Sequence, residues 1–293
     1  MSYQSGFVNI IGKPNAGKSS LMNALLGERL SIITPKAQTT RHRIIGILND
    51  PSYQIVFSDT PGIIKDPVYK LQESMNAFIE GSFDDADIFL YVFDILDTPR
   101  IEDVPEKVLL SEVPIVLVLN KLDQADQKIL ETKALQWSEL LPQAILVPVS
   151  ASQKFNLDTL LKAILSKLPE GKPYFEQDAL TDRNERFFVT EIIREKILLN
   201  YQKEIPYSTE VVVDDFKEES TITKIRATIY VMRDSQKGII IGHQGSAVKK
   251  VSTEARIDIE KFLGKKVYLE LQVKVSKDWR DNEKLLKRFG YLH

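Results

Sequence analysis

The sequence has no cysteine, which excludes disulfides, thiolate metal sites and cysteine nucleophiles and makes a reducing cytoplasm the natural setting. Long apolar runs are missing as well. The longest, IFLYVF (88–93) and PIVLVL (114–119), fall far short of the ~20 residues that cross a bilayer, so no transmembrane segment is expected. The start, MSYQSGFVNIIG, lacks the basic residues and apolar core of an export signal. Peripheral contact with the inner face of a membrane stays open. Repeats and low-complexity tracts are absent, and net charge is small, −2.

What is present describes an ordinary globular chain. Its 293 residues, 43% hydrophobic and 27% charged, suit two domains with a core each. Charge is unevenly spread. Residues 1–182 carry 17 basic and 24 acidic side chains, the rest 22 and 17, and from residue 221 onward the count is 16 to 8. A polyanionic partner fits that basic end; a solvated mixed-charge surface is the plainer alternative.

Up to about residue 170, β-branched runs (7–12, 43–48, 53–59, 87–96, 114–120, 144–150) alternate with amphipathic stretches (18–27, 67–81, 102–112, 126–141, 156–168). Such alternation predicts an α/β fold with a mostly parallel six-stranded sheet between helices. Only NDPS separates the second and third runs, too little for a crossover helix, so that pair is expected to be an antiparallel hairpin. Residues 168–183 hold two prolines, a glycine and scattered polar side chains with no sustained period, and the stretch 171–183 reads as a linker between a domain at 1–170 and another at 184–293. The latter predicts a smaller α+β module: a helix (185–200), strands (208–216, 222–232), a short helix into GHQG, a longer helix (246–263) and a strand (266–275).

GKPNAGKS at 12–19 satisfies G-x-x-x-x-G-K-[ST] where a strand hands over to a helix, the setting in which the pattern holds phosphate. Gly12 and Gly17 let backbone amides face the anion, with Asn15, Ala16 and Ser20 completing the loop. Lys18 supplies charge to the outer phosphates, and Ser19 offers a hydroxyl to Mg²⁺. DTPG (59–62), NKLD (120–123) and VSA (149–151) follow, each closing a predicted strand. Asp59 can bind the metal through water, and the Gly62 amide can sense a terminal phosphate. Asp123 can accept two hydrogen bonds that guanine offers and adenine does not. Asn120 braces the loop, and the Lys121 stem covers the base. Ser150 steadies the last loop, and the Ala151 amide faces the guanine carbonyl.

In this order the motifs resemble those of the Ras-like P-loop GTPases. The resemblance implies that KAQTTRHR (36–43) is a switch loop giving a threonine, Thr40 in preference to Thr39, to a Mg²⁺ that also takes Ser19 and Asp59. Lys18, Thr40 and Gly62 are then the candidates for acting on the transferred phosphoryl group. Where many such enzymes carry a water-orienting glutamine, this chain has Ile63, which cannot hydrogen-bond a water. Slow intrinsic turnover is expected, with positioning left to other groups. Asn15 resembles an asparagine that helps hold K⁺ in a subgroup with an apolar residue at that place.

GHQG at 242–245 lacks the ending of a nucleotide loop and joins two predicted helices. It resembles the GXXG turn of a KH domain, which clamps about four nucleotides of single-stranded RNA; the element order implies the type II arrangement. Gly242 and Gly245 allow close approach, Ile241 and its two preceding isoleucines are shared between groove and core, and Lys249 and Lys250 can reach phosphate. His243 and Gln244 occupy places that usually include a cation, which argues against a strong electrostatic grip. Both halves together, with ALTDR (179–183) and IIIGHQGS, resemble the bacterial Era GTPases. The resemblance implies a monomeric factor, switched by GTP and GDP, that binds the 3′ end of 16S ribosomal RNA and acts in assembly of the small ribosomal subunit. The alternatives are a GTPase whose basic module meets protein or membrane, and a phosphotransferase.

Overall fold

The expected hairpin and parallel sheet both form. In the computed structural model, which describes residues 2–64 and 66–292, contacts group Met1–Asp66 with Met75–Asp182, and Pro67–Ser74 with Arg183–His293. The first unit runs β1 (Gln4–Ile11), α1 (Lys18–Leu26), β2 (Ile44–Asp50), β3 (Tyr53–Asp59), most of α2 (Lys70–Asp84) and β4 (Ile88–Asp94). It continues through α3 (Glu106–Leu109), β5 (Ile115–Asn120), α4 (Gln127–Leu140), β6 (Ile145–Pro148) and α5 (Leu157–Leu165). The sheet order is β2-β3-β1-β4-β5-β6, with β2 antiparallel to β3 and the other neighbours parallel. Helices cover both faces, so β4 and β5 read as near-continuous apolar runs and not as alternating ones: all of β5 is buried. Trp137 of α4 fills the core edge-on against Tyr91 and Phe93 of β4, at 5.7 and 5.1 Å between ring centres.

β1 lies between β3 and β4, the strands reached by connections in opposite directions. That places the 12–19 loop at the topological switch point, where open α/β sheets bind ligands. The helix expected over 102–112 is broken. A 3₁₀ turn at Ile101–Asp103 is followed by the single turn of α3, because Pro105 has no N–H and forces Val104 into an extended conformation.

The stretch expected as a linker is fastened to the first unit up to residue 182. Gln54, fully buried, accepts from the backbone N–H groups of Tyr174 and Phe175 and donates to the Phe175 carbonyl. Ile47 N–H donates to Leu180 O, and the Thr181 hydroxyl to Ile45 O. The segment thereby covers β2, which would otherwise be a bare sheet edge.

The second unit contains α6 (Glu185–Asn200), β7 (Glu210–Glu218), β8 (Ile222–Val231), α7 (Asp234–Ile241), α8 (Ser246–Leu263), β9 (Lys266–Val275) and α9 (Glu283–Arg288). Its three strands run β7-β8-β9, antiparallel then parallel. Asn184 caps α6 by accepting from Phe187 N–H, and Gly264 ends α8 in the left-handed region. Val189, Ile193 and Ile197 of α6 meet Val251, Ala255 and Ile259 of α8 above the inner face of β8, the 3.6-residue period turned into one packed face. α9 goes unnoticed in the sequence because six residues carry too little periodicity.

Candidate functional site

The loop at 12–19 is built by conformations that only certain residues accept. Gly12 has φ 146° and Gly17 φ 94°, and a Cβ would overlap the Val92 carbonyl oxygen at the first and the Asn120 amide at the second. Asn15 is also left-handed, at φ 63°, which asparagine tolerates better than most residues. α1 begins at Gly17 with no side-chain cap, so its first N–H groups and its positive dipole end are directed to an anion. Lys18, buried, donates to the carbonyls of Gly12 and Lys13 at 2.9 and 2.8 Å. Burial pulls its ammonium down to about 8, against the opposing pull of Asp59.

Three oxygen-bearing side chains from separate segments converge beside that lysine. Ser19 Oγ donates to Asp59 Oδ2 at 2.6 Å and lies 3.1 Å from Thr40 Oγ1, which is 3.4 Å from the same carboxylate oxygen. Thr39 turns elsewhere, to Thr34 and the Lys36 carbonyl. Burial raises the Asp59 carboxyl, while the Ser19 hydrogen bond and the Lys18 charge hold it down. Its Oδ1 is buried with no hydrogen-bond partner. Two hydroxyls and an orphaned carboxylate oxygen fit a hard cation such as Mg²⁺, whose shell phosphate and water oxygens would complete. No group of three or more His, Cys, Asp or Glu side chains suited to a metal occurs among the described residues.

A cavity of about 430 Å³ adjoins these groups, lined among others by Pro14, Asn15, Ser20, Gly62 and Lys121. Ile63 does not line this cavity but a neighbouring, more apolar one of about 850 Å³, with Ile79, Phe83 and the outer side of the loop at Gly12, Lys13 and Pro14. Ile64 is clasped from both sides by Asn76, which accepts from its N–H and donates to its carbonyl.

At the other end, Asn120 ties two loops together. It donates to Ala16 O at 2.9 Å and accepts from Ala151 N–H at 3.1 Å. The Ala151 amide, expected to face a guanine carbonyl, is thus used on Asn120 here. Asp123 is exposed and accepts from Ser150 and, more weakly, Ser152 at 2.5 and 3.3 Å. The Ser150 bond holds its carboxyl below the ordinary range. Lys121, left-handed at φ 65°, forms an ion pair with Asp94 at 2.5 Å. Lys13 does the same with Asp103 at 2.6 Å. The reading of the sequence missed both acidic partners, although Asp94 ends its strand as Asp59 does.

The 242–245 turn is built locally. Gly242, Gln244 and Gly245 have φ of 72°, 49° and 77°, and Gly245 N–H donates to Gly242 O. Ile240 is fully buried, Ile239 half exposed and Ile241 between them. His243, Gln244, Lys249 and Lys250 are exposed. α8, like α1, starts on a glycine without a side-chain cap.

A strand-loop-helix phosphate cradle with a hydroxyl-carboxylate metal set and an asparagine-braced base loop, followed by a GXXG module, defines a P-loop GTPase with a C-terminal KH domain. Residues 7–121 match the family described as 50S ribosome-binding GTPase, and residues 204–280 match the KH domain. GTPase Era of Geobacter sp. is 45% identical over 99% of this chain and 98% of its own. The chloroplastic GTPase ERA1 of Zea mays is 43% identical over 99% of this chain and 71% of its own. Among solved structures, Era in complex with MgGDPNP and nucleotides 1506–1542 of 16S ribosomal RNA superposes with a TM-score of 0.94 at 38% identity, covering 99% and 100% of the two chains. A variant of Aquifex aeolicus Era bound to GDP and AlF₄⁻ gives 0.93 at 38%, with the same coverage. The chain belongs to the Era family of GTPases.

Proposed function

We propose that the chain is a Mg²⁺-dependent guanine-nucleotide switch that clamps single-stranded RNA at the 3′ end of 16S ribosomal RNA and serves assembly of the small ribosomal subunit. The observation that carries the nucleotide reading is the convergence of Ser19, Thr40 and Asp59 oxygens beside the buried Lys18. In this reading Gly12, Asn15, Ala16, Gly17 and Ser20 wrap the phosphates. Asn120, Lys121, Asp123, Ser150 and Ala151 form the base site. Lys18, Thr40 and the Gly62 amide stabilise charge that develops on the γ-phosphoryl oxygens. Bound Mg²⁺ neutralises part of that charge. Ile241, Gly242, His243, Gln244 and Gly245 approach the RNA backbone, with Lys249 and Lys250 on phosphate.

The γ-phosphate orders the segments around Thr40 and Gly62, and the KH module responds. Fluorescence anisotropy with an RNA of the 16S 3′ sequence, in matched salt, tests this: affinity differs between the GTP-analogue and GDP states. Equal affinities remove the coupling, and binding to anionic vesicles or protein without RNA replaces the RNA reading. No described helix is long and apolar enough to cross a membrane. A monomer in the cytoplasm, with peripheral membrane contact as the rival placement, completes the proposal. Asn15 further supports K⁺ stimulation of hydrolysis; equal rates in KCl and NaCl exclude it.

A further inference from the structure

Lys121 belongs to the proposed base site, yet a lysine stem covers a base only if something fixes its direction. β4 and β5 are paired so that Asp94 stands opposite Asn120, and Ile95 N–H donates to Asn120 O. The left-handed turn at Lys121 brings its side chain back across this rung, where Asp94 Oδ2 takes the ammonium at 2.5 Å. The second oxygen of Asp94 accepts from Leu96 N–H at 3.0 Å, which locks the carboxylate plane. Neither group is fully exposed, at 28% and 17% of their side-chain surface, so the pair is less screened than a surface ion pair.

We infer that Asp94 is a positioning residue for guanine recognition: it holds Lys121 in place so that the lysine stem is already laid where the base stacks. The inference rests on the base-site reading above. A carboxylate is required because both of its oxygens accept. An asparagine that keeps the Leu96 bond presents its amide hydrogens to the ammonium and releases the lysine. An unfixed lysine must be ordered again at each binding event, a cost equivalent to about fivefold in affinity. The loss appears in release of nucleotide, since that is where most affinity differences arise.

The test measures release of mant-GDP from the Mg²⁺-loaded full-length protein. Asp94→Asn speeds release about fivefold, and Asp94→Glu, which keeps the charge, restores most of it. Asp94→Ser, whose hydroxyl still accepts from Leu96 N–H, repeats the loss with the turn preserved, and serves alone should Asp94→Asn fold poorly. In a Lys121→Met background, which keeps the stem without the charge, neither Asp94 change has a further effect. Unchanged release in Asp94→Ser overturns the proposal. An equal effect in both backgrounds also overturns it, since Asp94 would then act through its turn alone. Failure of the underlying base-site reading shows separately, as an unsubstituted protein that holds adenine and guanine nucleotides alike.

Discussion

Two glycine turns in this chain each lead into a helix without a side-chain cap, α1 after Gly17 and α8 after Gly245, yet they are built differently. The first is braced from a distance: Asn120 holds Ala16, Asp59 holds Ser19, and Asp103 holds Lys13. The second closes on itself, with Gly242 N–H on Gly238 O and Gly245 N–H on Gly242 O. A small polyanion with a metal has to be met from several sides at fixed distances, which separate strands supply. An RNA backbone needs an unobstructed approach repeated over several phosphates, which a local turn supplies.

The largest effect expected falls on the braced site. Asp123→Asn removes the acceptor for guanine and leaves an amide facing its donors, so GDP affinity drops about a thousandfold or more while XDP affinity rises. Calorimetry with both nucleotides measures it; a variant that still prefers GDP breaks the assignment of the base site.

Next come the glycines themselves. At Gly12 an added Cβ overlaps the Val92 carbonyl oxygen, backbone that has no room to yield, at φ 146°. At Gly245 a Cβ meets nothing within 4 Å, so only the left-handed φ of 77° opposes it. Gly12→Ala is therefore expected to lower stability by about 3 kcal/mol and Gly245→Ala by about 1 kcal/mol. Urea unfolding compares them, and equal losses would deny that the Val92 carbonyl adds to the cost of a side chain at Gly12.

Lys18 gives the first turn a pH signature. Its folded value of about 8 lies below the ordinary 10.5 because of burial, so the nucleotide-free fold binds this proton more weakly than the unfolded chain does. The stability cost is complete below pH 8 and is relieved as pH rises from 8 toward 10.5. Nucleotide phosphates favour the charged lysine, so binding takes up a proton above pH 8. GDP affinity is accordingly about tenfold lower at pH 9 than well below pH 8. Calorimetry in buffers of different ionisation heat detects the uptake; a flat profile from pH 7 to 9 contradicts it.

Legibility followed the same division. GKPNAGKS, DTPG and NKLD can be read because each packs its chemistry into a few adjacent residues at a strand end, whereas the preference for Thr40 over Thr39 rests on the resemblance to the Ras-like GTPases. The pairings Lys121–Asp94 and Lys13–Asp103 join residues 27 and 90 positions apart, and nothing in either local stretch announces the partner. The 174–181 strap was equally hidden. Its scattered polar residues without a sustained period read as part of a linker, whereas its hydrogen bonds depend on a sheet edge that exists only once β2 is paired. The helix expected over 102–112 overlooked what Pro105 does to Val104.

The smallest expected effect tests how weak the second turn's grip is. His243 and Gln244 are both exposed and neither is a lysine or arginine, so close approach and the flanking Lys249 and Lys250 carry the attraction. Gln244 is left-handed, at φ 49°, and a change there mixes strain with charge; His243 is not among the left-handed residues, which makes it the cleaner position. His243→Lys adds one cation beside the RNA backbone, and each phosphate neutralised on a single strand steepens the salt dependence by about 0.7 in log–log slope. Affinity for single-stranded RNA is then expected to rise about threefold at moderate salt and to converge with the parent at high salt. Measured without RNA, nucleotide affinity stays unchanged, because no residue of the phosphate cradle belongs to this turn. A rise without the steeper slope would mean that the new side chain contacts bases, making the turn a reader of sequence as well as a clamp on the chain.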